Sequence, residues 1–232
     1  MLDYRPFSSL GRMDIDWLSA RYHFSFANYF DPARMGWGPL RVWNDDKIRA
    51  KSGFDPHPHR DMEIITYVRT GAISHADSLG NRGRTEAGQI QVMSAGTGIQ
   101  HAEYNLEDAD TTLFQIWITP AAPGLKPRWE TRTLPGVDDK NRLIPLASGQ
   151  GLPETMGIYQ DATLYVAHLE AGGEIAHQLA PGRKAYVVGF LGQAEVNGQL
   201  LNARDGLAVA DVDLLTLTAQ GSGSLLLADL PG

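Results

Sequence analysis

Gly53-Phe-Asp-Pro-His57-Pro-His59-Arg-Asp-Met-Glu63 is the stretch on which the reading of this chain turns. Its two histidines stand at i and i+2, and on a strand such side chains project from one face, so both imidazoles reach the same point in space. Further along, Gly96-Thr-Gly-Ile-Gln-His101-Ala-Glu103-Tyr-Asn105 repeats that spacing with a histidine and a carboxylate. If the two segments are neighbouring antiparallel strands, His57, His59, His101 and Glu103 converge. Three imidazoles and one carboxylate suit a divalent first-row ion such as Fe(II), Mn(II), Ni(II), Cu(II) or Zn(II), and an octahedral ion would keep two positions free for substrate and O₂. One His-x-His pair is weak on its own, since histidines flanked by prolines also occur in ordinary turns. Two matched segments carry the argument.

Composition limits the alternatives. The 232 residues include no cysteine, which removes disulfide scaffolds, thiolate metal sites and thiol nucleophiles, so a metal must sit on nitrogen and oxygen. A formal net charge of −7, with 20 scattered Lys and Arg, disfavours direct nucleic-acid binding. Asp3, Asp14 and Asp16 lie where a signal peptide would need an apolar core, and no apolar run approaches the roughly 18–20 residues of a membrane span. The expectation is a cytoplasmic protein without a membrane partner.

The 25 Gly and 13 Pro cut the chain into short segments rich in Val, Ile, Tyr and Thr, the rhythm of an all-β protein. Glu63–Val68, Gly88–Met93, Leu113–Ile118, Leu164–Leu169 and Ala185–Phe190 read as strands, and Asn197-Gly198 as a two-residue hairpin turn. The only helical periodicity is a short stretch near Trp17–Tyr22. A weak internal repeat runs beneath this: Gly53, Tyr67-Val68, Gly71 and Gly88 find counterparts at similar spacing in Gly173, Tyr186-Val187, Gly192 and Gly206. Two related β-domains are expected, an N-terminal one over residues 1–130 with the metal site and a C-terminal one over residues 131–232. The second keeps His177 at the position of His57, has Leu179 at that of His59, and contains no later histidine.

These residues resemble the cupin superfamily, and within it the pirin family of two-domain cupins. The resemblance is carried by Phe54–Glu63, by the turn Asp77-Ser-Leu-Gly-Asn81 and by Met93–Asn105, with Phe24–Pro32 and Leu40–Asp45 similar to bacterial members. It covers residues 20–120 closely and the remainder by pattern. Two positions depart from the general cupin pattern: only three residues separate Gly53 from His57, and Gly96 stands where proline is expected. The resemblance implies a bicupin of two antiparallel β-barrel or jelly-roll domains packed together, with one divalent metal, Fe(II) first and Mn, Ni, Cu or Zn as alternatives. Most cupins take the carboxylate ligand from the first motif, which would be Glu63. The pirin resemblance places it at Glu103, which its i, i+2 relation to His101 favours, leaving Glu63 to orient a ligand histidine.

Among the other histidines, His75 near a hairpin turn reads as solvent-facing or as a donor to a ligand, and His168 as a satisfied core residue. His23 and the aromatic residues Phe24, Phe26, Tyr29 and Phe30 read as packing groups. Which of Met93, Phe114 and Trp117 face the site is open. The resemblance implies a quercetin 2,3-dioxygenase-like activity on a flavonol-type polyphenol and O₂, releasing carbon monoxide, with His57, His59 and His101 holding the ion and Glu103 as ligand and general base. The alternative it implies is a non-catalytic regulator whose metal oxidation state controls binding of a protein partner.

Overall fold

The computed structural model of the chain describes residues 1–232, with 21 strands and two single-turn 3-10 helices. The chain opens with β1 (Leu2–Arg5), then runs through β2 (Gly11–Asp14), β3 (Leu18–Tyr22), β4 (Leu40–Ile48), β5 (Ser52–His59), β6 (Glu63–Thr70), β7 (Ala72–Asp77), β8 (Arg82–Glu86), β9 (Ile90–Ser94), β10 (Ile99–Asn105), β11 (Thr111–Ile118) and β12 (Arg128–Arg132). The second half contributes β13 (Leu143–Ser148), β14 (Met156–Gly157), β15 (Thr163–Leu169), β16 (Glu174–Gln178), β17 (Lys184–Val196), β18 (Gln199–Asn202), β19 (Gly206–Val209), β20 (Leu214–Thr218) and β21 (Gly223–Leu230). No helix is long and apolar enough to cross a membrane.

Two compact units emerge. One comprises Gly11–Leu134 with Gly157–Gln160, the other Met1–Leu10 with Pro135–Met156 and Asp161–Gly232. The observed division therefore differs from a boundary at residue 130. The first ten residues leave the N-terminal unit because β1 pairs antiparallel with β19, Leu2 opposite Val209 and Arg5 opposite Gly206, a long-range contact that local pattern does not encode.

The sheets bear out the internal repeat. In the N-terminal unit the large sheet runs β12-β9-β6-β11-β4-β3-β2 and the small one β5-β10-β7-β8. In the C-terminal unit the order is β1-β19-β17-β21-β15-β13-β14, while β16, β20, the far half of β17 and β18 pair in the sequence β16-β20-β17-β18. The two orders superimpose strand for strand, with β17 standing for β6 and β7 joined. All five strand segments expected from the sequence fall on strands, and Asn197-Gly198 closes the β17–β18 hairpin with both residues at positive φ. The helical expectation at Trp17–Tyr22 fails: Leu18–Tyr22 is β3, whose side chains alternate between buried and half-buried against β4. Tertiary pairing outweighs a short stretch of local periodicity.

In the C-terminal unit the position facing His177 across the small sheet is a leucine. His177 lies opposite Leu215, and Leu179, Leu215 and Leu217 belong to one apolar core. His177 itself pairs with Asp229 at 2.9 Å. An apolar cluster fills the second unit where the first gathers polar groups.

Candidate metal centre

The small sheet of the N-terminal unit builds the centre. β5 lies on its edge, which tolerates the missing N–H groups of Pro56 and Pro58; both prolines are exposed while His57 and His59 turn inward. β10 pairs with β5 so that His57 stands opposite His101 and Ile99 opposite His59. On its other side β10 pairs with β7, which sets Asp77 opposite His101 and His75 opposite Glu103. A register shift falls between His101 and Glu103 on the β5 side. The strands meet closely there because residue 53 is glycine: a Cβ would stand 2.2 Å from the Glu103 carbonyl oxygen and 2.5 Å from Tyr104 Cα. Gly96 is equally constrained. Its φ of +46° is closed to proline, which accounts for the departure from the cupin pattern.

Ligand atoms of His57, His59 and His101 all lie within 4.8 Å of one another, with ring centroids 4.5 to 4.9 Å apart. His59 Nε2 and His101 Nε2 are buried and have no hydrogen-bond partner. For His57 and His101 the other ring nitrogen points to a defined tautomer. A carbonyl only accepts, so the 2.7 Å contact of His57 Nδ1 with the Asp55 carbonyl oxygen puts the proton on Nδ1 and the lone pair on Nε2. His101 Nδ1 meets His75 Nδ1 at 3.4 Å, and His75 Nε2 meets Asp77 Oδ2 at 3.0 Å. Asp77 also accepts from the Leu79 and Asn81 backbone N–H groups and from Asn81 Nδ2. Burial alone would raise its pKa, but these donors, His75 first, bring it below the ordinary carboxylate value. A carboxylate accepting from His75 Nε2–H leaves His75 Nδ1 as acceptor, so His101 Nδ1–H donates to it and His101 Nε2 keeps its lone pair for the centre.

Electrostatics hold His59 and His101 neutral. Burial, reinforced by the nearby His101 and His57 rings, lowers His59 to about 4, and burial with His57 and His75 lowers His101 to about 3. Neutral imidazoles are the form a metal requires.

Glu103 is buried and falls within the same ligand distance of His101 and His75. Gln91 Nε2 donates to its Oε1, and Gln115 Nε2 donates to Oε2 at 2.6 Å. Glu63 is elsewhere engaged: Ser94 Oγ donates to it at 2.7 Å, and burial raises its pKa against the opposing effects of Ser94, the Tyr159 backbone and Arg128. It does not orient a ligand histidine. His75, expected to face solvent or to act as a donor, is 3% exposed and stacks on Trp129 at 4.5 Å and 6°. His168 bonds Ser224 Oγ at 2.7 Å, and His23 packs near Trp43.

A cavity of roughly 390 Å³ opens over the centre, with His57 and His59 among its lining residues. Trp17, Phe26, Phe54 and Trp117 make its aromatic walls, with Trp17 on Phe54 at 5.0 Å and Phe26 on Trp117 at 5.4 Å, both edge to face. Phe26 and Trp117 thus face the site, whereas Phe114 packs against Trp43, and Met93 lies in a core cluster that Trp117 also touches. The residues that sequence reading missed are polar ones buried on the large sheet. Tyr22, Asn44, Gln115, Thr66 and Gln91 lie opposite one another on β3, β4, β11, β6 and β9 and form one row across the large sheet. A lone Gln or Thr at the middle of a buried strand is the signal that marks them.

Known proteins are similar to this chain along its whole length. Residues 4–118 match the Pirin family, and residues 145–230 match the family described as Quercetinase C-terminal cupin domain. A Pseudomonas aeruginosa protein provisionally named a quercetin 2,3-dioxygenase is 54% identical over 99% of this chain and 100% of its own length. The quercetin 2,3-dioxygenase of Escherichia coli K12 is 40% identical over 100% of this chain and 99% of its own. The crystal structure of the bacterial pirin YhhW of Escherichia coli, in complex with nickel(II), superimposes with a TM-score of 0.95 at 39% identity, covering 100% of this chain and 99% of that one. With the duplicated sheets, the histidine cluster confined to the first unit and full-length relatives on both counts, the chain belongs to the pirin family of two-domain cupins.

Proposed function

We propose that the N-terminal unit is a metal-dependent dioxygenase site of the quercetin 2,3-dioxygenase type, with His57, His59, His101 and Glu103 as ligands to one divalent transition metal. The observation that carries this reading is the convergence of buried, unpartnered imidazole nitrogens at an aromatic-walled cavity. The donors fit such an ion, being neutral nitrogens and a carboxylate with no thiolate to saturate it, and the names of the relatives support the substrate class. A bound ion would act as a Lewis acid on a substrate oxygen and as the redox-active partner for O₂.

The residues of the chain do the rest. The aromatic walls exclude water and hold a planar ring system over His57 and His59. The amides of Gln91 and Gln115 occupy one lone pair on each Glu103 oxygen, which leaves a second on each for the metal or for the proton of a substrate hydroxyl. In the proposed reaction both atoms of O₂ enter the flavonol, its oxygen-bearing ring opens, and one ring carbon leaves as carbon monoxide. Protein mixed with quercetin under argon and then exposed to O₂ should bleach the flavonol absorbance and release CO in step. Absence of turnover with Fe, Mn, Ni, Cu and Zn each loaded in turn would overturn the reading.

The Asp77–His75–His101 chain adds a measurable expectation. Replacing His75 with Phe keeps an aromatic ring against Trp129 but removes the acceptor for His101 Nδ1–H. Metal affinity, read by competition with a chromophoric chelator, should fall by about 10–100-fold. Unchanged affinity would show that His101 needs no orienting partner.

A further inference from the structure

The cavity wall carries polar atoms that the proposed chemistry leaves unused. Tyr22 on β3 and Asn44 and Asp46 on β4 line the cavity and are 2%, 4% and 2% exposed. Tyr22 Oη, Asn44 Oδ1 and Asp46 Oδ1 have no hydrogen-bond partner. Native proteins keep few such atoms, and each calls for an explanation. Register explains how they come together. Tyr22 and Asn44 form one end of the polar row whose other end, Gln115 and Gln91, is committed to Glu103. Asp46 stands two residues from Asn44 on the same face of β4 and extends the uncommitted end.

Their surroundings limit what they can bind. None of the lining residues is lysine or arginine, so at this end of the cavity no side chain offers an anionic ligand a counter-charge. Burial, then the neighbouring carboxylates of Asp45 and Glu103, pushes the Asp46 carboxyl well above the usual range, and burial with Asp46 and Asp14 pushes the Tyr22 phenol up to about 12. Each shift favours the protonated form, in which the group is at once donor and acceptor.

We infer that Tyr22, Asn44 and Asp46 form a subsite that reads hydroxyl groups on a neutral aromatic ligand and turns away aromatic carboxylates. The inference rests on the reading of the cavity as a polyphenol site and narrows it: a smaller aromatic acid would not be the substrate. Asn44 Oδ1 accepts from a ligand hydroxyl, Asp46 exchanges hydrogen bonds with a second, and Tyr22 Oη–H donates to a ligand oxygen. A carboxylate would bring its charge toward that of Glu103 in a site of low polarity, where like charges repel strongly.

The test measures binding by the full-length protein under argon, where no turnover occurs, by titration with quercetin, with unsubstituted flavone and with 3,4-dihydroxybenzoate. Asp46→Leu and Asn44→Leu should each weaken quercetin binding by about tenfold. Flavone, which has no hydroxyl to be read, should bind both variants as well as the parent does. Asp46→Asn, which keeps a donor and an acceptor, should restore most of the quercetin affinity. The carboxylate should show no saturable binding. Equal losses for quercetin and flavone, quercetin binding unaffected by either Leu substitution, or tight binding of the carboxylate would each overturn the inference. Because the readout is binding, it separates from the dioxygenase reading: a hydroxyl-dependent loss without flavonol turnover leaves the subsite standing and the dioxygenase reading refuted, and turnover without that loss does the reverse.

Discussion

Replacement of His101 by alanine is expected to strip the protein of its bound divalent metal while leaving it folded. Of the three clustered histidines, His101 is the most committed to the centre. It stands opposite His57 on one side and Asp77 on the other, and its Nε2 is buried without a partner. Apparent binding energies of roughly 10–16 kcal/mol for four-ligand sites divide into about 3 kcal/mol per donor, so loss of one imidazole should weaken binding by at least about 10²-fold. The effect should exceed that of His57→Ala, because His57 lies on the edge strand and is only half-buried. Folding should survive, since burial already keeps His59 and His101 neutral without metal and the unit has an apolar core around Leu18, Ile48, Val68, Ile73 and Leu113. Metal content by mass spectrometry, read beside a thermal melt, checks both halves of the expectation. A variant that retains a full equivalent of metal would remove His101 from the centre.

The second large effect separates two carboxylates that local sequence treats as equals. Glu103→Gln should lose both metal and turnover, and Glu63→Gln should keep both. Glu103 accepts amide hydrogens on both oxygens, from Gln91 and Gln115. A glutamine there must turn its own NH₂ toward one of those donors, which costs about 1–3 kcal/mol and removes an anionic ligand together with the candidate base. Loss of a general base alone lowers turnover by roughly 10²–10⁴-fold. Glu63, by contrast, accepts from Ser94 Oγ, which in turn accepts from Arg128 Nε at 3.2 Å. Neutralising it should lower stability by about 1–3 kcal/mol and shift the thermal melt without altering metal stoichiometry. If only Glu63→Gln loses metal, the assignment of Glu103 is wrong.

Much of this centre is written locally, because strand geometry makes a period of two visible in one dimension. His57 and His59 share a face with Pro56 and Pro58 on the other, and His101 and Glu103 share a face of β10. The duplication is also legible, since Gly71 and its counterpart Gly192 both take a positive φ. His75 was half legible. Its turn was visible, but its burial depends on stacking with Trp129, contributed by β12 far along the chain. The polar row from Tyr22 to Gln91 was not legible as a row, although Gln115, Thr66 and Gln91 were each visible as polar residues between apolar neighbours on their strands.

Sequence alone determined the donor chemistry, nitrogen and oxygen without sulfur, the two paired motifs and the all-β class, because composition and alternation are local properties of the chain. Tertiary structure decided everything that depends on register between distant strands. It placed Glu103 beside His101 and Glu63 beside Ser94, joined Asp77 through His75 to His101, moved the first ten residues to the C-terminal unit, and left Asn44 and Asp46 facing a cavity rather than a partner. A shift of one residue in any of those pairings would turn the same side chains to the opposite face, so their roles are set by pairing across the sheets rather than by their place in the chain.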